Sequence, residues 1–181
     1  METATKNLEN DHVHILQLID IMEQATEYAE PDYRNIEIMI ELIKSYADGI
    51  HHTKEENLLF PLLIKRGFSK EQGPIAVMLH EHDLGRTFVK GMVENLEQFK
   101  KGRKTSISLI YKNMKAYIEL LRGHISKENN VLFKMADKAL TEQDQLILLE
   151  QYKQIEKSDM KGSSLQYFIN QINALAEIYH L

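Results

Sequence analysis

The sequence has no cysteine. That excludes disulfides, thiolate zinc sites, cysteine-ligated iron–sulfur clusters and a cysteine nucleophile. Proline and glycine are scarce, at 3 and 8 of 181 residues, too few for a strand-and-turn architecture or a long disordered linker. No apolar run approaches the roughly 20 residues that span a bilayer, and no stretch shows the period-two alternation of a half-buried strand. Basic charge is also in deficit. The formal net charge is −5, whereas a nucleic-acid partner asks for a basic face to neutralise phosphates. Lys100, Lys101, Arg103 and Lys104 do cluster, but they bracket Gly102 and read as a solvated loop. The N-terminus is polar and acidic with no signal-peptide pattern, so the expected location is the cytoplasm.

What is present is helical periodicity from end to end. The length suits one domain spanning 1–181. Leu8, His12, Ile15, Ile19 and Met22 form one stripe of a first helix, from Leu8 to Tyr28, broken by Pro31. A long second helix is expected from Tyr33 to Arg66, with Ile36, Ile40, Ile43, Ala47, His51, Glu55, Leu58 and Leu62 inward and a kink at Pro61. Pro74 opens a third helix that runs to about Lys101, with Ile75, Met78, His82, Val89, Val93 and Leu96 inward. Thr105 or Ser106 caps a fourth, whose stripe is Ile110, Met114, Tyr117, Leu121, His124, Glu128, Leu132 and Met135. Thr141 to Asp144 reads as a capping box for a fifth helix. Lys161 to Ser164 separates that helix from a sixth, Leu165 to Tyr179. The expected fold is all-α: an antiparallel up-down four-helix bundle over about 6–138, with a C-terminal helical pair over about 141–180 packed on it.

Two stretches share one grammar. His51 and Glu55 lie one helical turn apart, followed by an apolar run ending at Phe60; His124 and Glu128 repeat this, ending at Phe133. At about 1.5 Å per residue, His12 lies roughly 24 Å from the end of its helix, and His51, His82 and His124 lie roughly 27–28 Å from theirs. In an up-down bundle those four ends share one side, so the four histidines fall in one layer. Glu55 and Glu128 join it, because residues i and i+4 share a face. Six ionisable side chains cannot be buried together without a compensating charge. A donor set of imidazole and carboxylate without sulfur suits iron, manganese or zinc. Four histidines and two glutamates exceed the needs of one zinc and fit two ions bridged by the glutamates. The expected ligands are therefore His12, His51, Glu55, His82, His124 and Glu128. His12 is preferred to His14 by its stripe. His52 and Glu56 flank the ligands, outward or at most supporting them. His80 and His180 are outside the site, and Tyr117 is either core or a donor to a metal-bound oxygen species.

These residues resemble the hemerythrin-like, HHE cation-binding family. Asp11-His12, His51-x-x-x-Glu55-Glu56 with Leu58 to Pro61, and Glu81-His82-Asp83 match its motifs on successive helices. His124 to Phe133 closely resembles the fourth-helix segment of the di-iron iron–sulfur-cluster-repair proteins. The resemblance covers about Leu8 to Asp137. It implies two iron ions joined by an oxo or hydroxo bridge, with open positions for a small diatomic or peroxide ligand. It further implies a role in handling or sensing oxygen, peroxide or nitric oxide, or in iron homeostasis and iron–sulfur repair. Oxygen-carrying members use a His-x-x-x-His pair on the third helix and His-x-x-x-x-Asp on the fourth. Here Met78 and Arg86 stand where a partner of His82 would be, and His124 is followed by Glu128, so reversible oxygen carriage is not expected. No motif fixes a reaction. The alternative is a metal-responsive interaction or storage module without catalysis.

Overall fold

The computed structural model describes residues 2–28, 30–158 and 165–181. Helix α1 (Ala4–Ala25) starts earlier than its stripe suggests, because the Thr3 hydroxyl caps it by accepting from the Lys6 N–H at 3.1 Å. Helix α2 (Tyr33–Leu42) is capped by Asp32. It continues through π-helical segments Ile43–His52 and Glu55–Leu59 into α3 (Phe60–Lys65). Helix α4 (Pro74–Lys100) follows Gly73, whose φ of 77° only glycine adopts cheaply. Helix α5 (Ser106–Lys127) runs through a third π-helical segment, Glu128–Leu132, into α6 (Phe133–Ala139). Thr105 holds the cap position of α5 but makes no side-chain cap bond. Helix α7 (Glu142–Ser158) carries the expected capping box: the Thr141 N–H donates to Asp144 at 2.9 Å, and the Asp144 N–H to the Thr141 hydroxyl at 3.2 Å. Helix α8 (Leu165–Tyr179) has the expected bounds; the break assigned to Lys161–Ser164 lies outside the described residues. Among the described residues there is no strand, and no helix is long and apolar enough to cross a membrane.

The helices close as an up-down-up-down bundle in which α1 neighbours α2 and α5, and α4 neighbours the same two. Two apolar clusters fill it. One holds Ile15 to Ala25 of α1, Ile36 to Ile50, Met92 to Phe99 and Ile110 to Ile125, and is extended by Phe168, Ile172 and Tyr179 of α8. The other holds Leu8, Leu59, Leu63, Ile75, Leu132 and Phe133, with Leu148 and Tyr152 of α7. On each bundle helix the expected ligands lie between the two clusters, so a polar layer interrupts an otherwise apolar core.

The π-helical turns correct the sequence reading. Phe60 N–H bonds to the Glu55 carbonyl and Phe133 N–H to the Glu128 carbonyl, each five residues back rather than four. Each wide turn advances the inward face by one residue. Leu59 and Leu63 are therefore buried where Leu58 and Leu62 were expected, and Ala136 is buried while Met135 is 41% exposed. Pro61 is not the cause. Lys134 occupies the equivalent place after the Glu128–Leu132 turn, and that turn is the same.

The register shift is testable by paired substitutions. Met135→Glu is expected to change unfolding free energy by no more than about 0.5 kcal/mol, and Ala136→Glu to cost about 3 kcal/mol or more by burying an unpaired charge. Chemical denaturation of the two variants measures this; equal costs would contradict the shift.

Candidate metal centre

All six expected ligands converge. His12, His51, Glu55, His82, His124 and Glu128 are each 2% exposed or less. Their ligand atoms form two groups. His12, His51 and Glu128 bring one atom each within 4.8 Å of one another, and so do His52, Glu55, His82 and His124. His14 lies outside both groups, with a buried Nδ1 that has no partner, and His80 and His180 are exposed. The preference for His12 over His14 agrees with this placement.

Each ring is turned the same way. The Nδ1–H of His12 donates to Asn129 Oδ1 at 2.7 Å, and that of His82 to Glu56 Oε1 at 2.7 Å. His124 donates to Glu81 Oε2 at 3.0 Å, and His51 lies 3.4 Å from Asp11 Oδ2. Carboxylate and amide oxygens can only accept, so the proton of each neutral ring sits on Nδ1 and the lone pair on Nε2. Those lone pairs face one another. His12 Nε2 lies 2.9 Å from His51 Nε2, and His82 Nε2 lies 3.2 Å from His124 Nε2. Two unprotonated nitrogens at that distance attract only through a cation or proton between them.

The glutamates complete the pattern. Glu128 reaches His12 Nε2 at 3.2 Å and His124 Nε2 at 3.3 Å; Glu55 reaches His82 Nε2 at 3.4 Å and His51 Nε2 at 3.7 Å. None of these approaches has hydrogen-bond geometry, and all four carboxylate oxygens are buried without a partner. Such orphaned oxygens are costly. Burial and the facing Glu128 push the Glu55 carboxyl well up. Burial acts the same way on Glu128, but His124 and His12 outweigh it and hold that carboxyl well below its usual range. Burial, then neighbouring His12, lowers His51 to about 4. The residues therefore fit metal ions: a cation would take the place of the proton that burial favours on Glu55, among carboxylate oxygens and Nε2 atoms aimed inward, with each imidazole oriented from behind.

The two helix pairs exchange parts. Glu55 of the first pair faces His82 of the second, and Glu128 of the second faces His12 of the first. Phe60 stacks on His82 and Phe133 on His12, with centroids 6.1 and 5.6 Å apart. These phenylalanines are the face that the second apolar cluster presents to the layer.

Sequence reasoning leaves the places of His52, Glu56 and Tyr117 open and misses Lys54, Glu156 and Tyr152. Of the two places open to His52, outward or supporting, the structure has the second: it is 6% exposed, its ring stacks on His82 at 3.7 Å, and its Nδ1 bonds to Asp48 at 3.0 Å. The π-helical turn through Ile43–His52 swings it inward, which a 3.6-residue period cannot show. Glu56 does support the site, accepting from His82 and from Arg86, which also bonds to Asp48. Lys54, fully buried, joins Asp11 at 2.8 Å to Glu156 of α7 at 2.7 Å. Tyr152 of α7 has a buried hydroxyl without a partner, and burial and the Glu55 charge push its pKa well up. Tyr117 is buried and lines a cavity with His52, His82 and His124.

A family model described as the hemerythrin HHE cation binding domain matches residues 3–136. The chain belongs to the hemerythrin HHE cation-binding family. Among curated relatives, this HHE chain is 38% identical over 89 residues to the iron-sulfur cluster repair protein YtfE of Escherichia coli O157:H7. It is 36% identical over 89 residues to that of Edwardsiella ictaluri and 39% identical over 90 to that of Salmonella newport. Each match covers 48% of this chain and 40% of the relative, so the chain spans about two-fifths of their length. No solved structure matches.

Two predictions follow from the geometry. Glu55→Ala is expected to remove at least one ion per chain, whereas Glu56→Ala keeps the stoichiometry and weakens metal affinity by about 10- to 100-fold; metal analysis and competitive titration separate them. The metal-free protein is expected to lose stability on acidification. His51 protonates at about 4 when folded against 6.5 for its ordinary value. Its contribution is thus complete above pH 6.5 and is lost as pH falls toward 4. From pH 7 to 5 this ring alone costs about 2 kcal/mol, readable in denaturant midpoints of metal-free protein.

Proposed function

We propose that the chain holds two iron ions, with His12 and His51 serving one, His82 and His124 the other, and Glu55 and Glu128 bridging them. The proposed ligand is oxygen, peroxide or nitric oxide, handled or sensed in the service of iron–sulfur repair or iron homeostasis, with an oxo or hydroxo bridge as the third link. The observation that carries this reading is the facing of Nε2 atoms at 2.9 and 3.2 Å, each ring with its Nδ1 turned to an oxygen acceptor, beside carboxylate oxygens without partners. Iron bound there supplies redox change and open coordination positions. The relatives are iron-sulfur cluster repair proteins, which supports iron over zinc or manganese. The chain's own residues do the rest. Asn129, Asp11, Glu56 and Glu81 keep the proton on Nδ1 of their histidines. Phe60 and Phe133 keep water from one side. On the other side a cavity opens onto His52, His82 and His124, so a small ligand reaches the second ion first.

A second reading, a metal-responsive interaction module, is favoured by the Glu156–Lys54–Asp11–His51 chain that ties α7 to a ligand. One experiment tests both. Iron loading followed by Mössbauer and ultraviolet-visible spectra with oxygen, peroxide and nitric oxide is expected to show two coupled ions per chain and a reactive ligand. Fewer than one ion per chain, with no gain on loading, sinks the di-iron proposal. Proteolysis of 141–181 that does not change with iron removes the module reading.

A further inference from the structure

The cavity beside the second histidine pair is far larger than the proposed small ligands need. Its volume is about 410 Å³, within the range of pockets that hold organic ligands, while one water's share of liquid volume is only about 30 Å³. Its floor is His52, His82 and His124. Its walls are apolar: Val89 and Val93 from α4, Leu120 and Leu121 from α5, and Ile43 from the helix-two side. The rim is polar, with Lys44, Lys90 and Glu94. Arg86, the one guanidinium lining it, is committed to Asp48, Glu56 and Asp83. Asp48 is in turn committed to His52 and Arg86. Glu81 is committed to His124 and Lys127, so beside the metal position the lining offers an incoming molecule the Tyr117 ring and hydroxyl and otherwise mainly apolar contact.

Resting on the di-metal reading above, we propose that this cavity binds an organic ligand with an oxygen-donor head and an unbranched apolar tail of several carbons. The head reaches the metal position between His82 and His124, and the tail lies along Val89, Val93 and Leu120 toward the rim. An oxygen-donor head suits the hard or borderline ions that an imidazole and carboxylate set selects. A tail of that kind removes the walls from water, at a gain per methylene typical of apolar burial. His52, held from behind by Asp48 and stacked on His82, is the part of the floor beside the head.

Isothermal titration of the iron-loaded full chain with straight-chain carboxylates from acetate to octanoate tests this. Affinity is expected to rise about three- to four-fold per added methylene until the tail reaches the rim. Val93→Trp, or Val89→Phe if the first variant does not fold, is expected to flatten the series to the affinity of acetate. A flat series in the unsubstituted protein overturns the inference, as does a steep series that neither variant changes. Fewer than one iron per chain together with a steep, variant-sensitive series would remove the metal reading while leaving the tail site standing.

Discussion

Everything in this bundle turns on a layer of lone pairs that cannot be left facing each other. Four imidazole nitrogens and four carboxylate oxygens meet in a buried layer, and each ring has its Nδ1 turned to an oxygen acceptor on the far side. Apolar side chains above and below supply the driving force for folding. The same apolar surroundings raise the cost of the uncompensated layer. A cation reverses the sign of that cost, which is why metal binding and stability are one quantity here rather than two.

The wide helical turns are the backbone's answer to the same demand. All three π-helical segments include or begin at a side chain of the layer: His51 and His52, Glu55, and Glu128. A regular α-helix spaces inward residues at three or four, whereas the layer asks two helices to present histidine and glutamate to one small volume and then resume packing. The extra residue is taken up at the site, and the downstream face shifts by one. Local backbone economy is given up where function sits, a pattern expected of sites in general.

Much of this was legible before any coordinates. The four-helix order, the helix limits near Pro74 and Gly102 and the convergence of His12, His51, Glu55, His82, His124 and Glu128 follow from period and length alone. Those signals are strong because each helix is long and its stripe uninterrupted. What period could not show is where a helix ceases to be regular. A regular period puts Leu58, Leu62 and Met135 inward and leaves His52 either outward or supporting for that single reason. The partners behind the histidines were hidden for another. Asn129, Glu81 and Lys54 act across helices, and which flank of one helix meets which flank of the next depends on rotation about each axis, which a single sequence does not encode locally. The helices α7 and α8 are legible, but the reach of α7 into the site through Glu156 and Tyr152 has no local signature.

The exchange of Glu55 against Glu128 and of Phe60 against Phe133 has a mechanical meaning. Neither antiparallel hairpin of helices owns a finished site: each carries two histidines, yet borrows a carboxylate and an aromatic screen from the other. The centre is thus a seam between two half-molecules joined by the connection 66–73. Ions in that seam would act as rivets, and prising the hairpins apart would dismantle the site while leaving every ligand on its own helix.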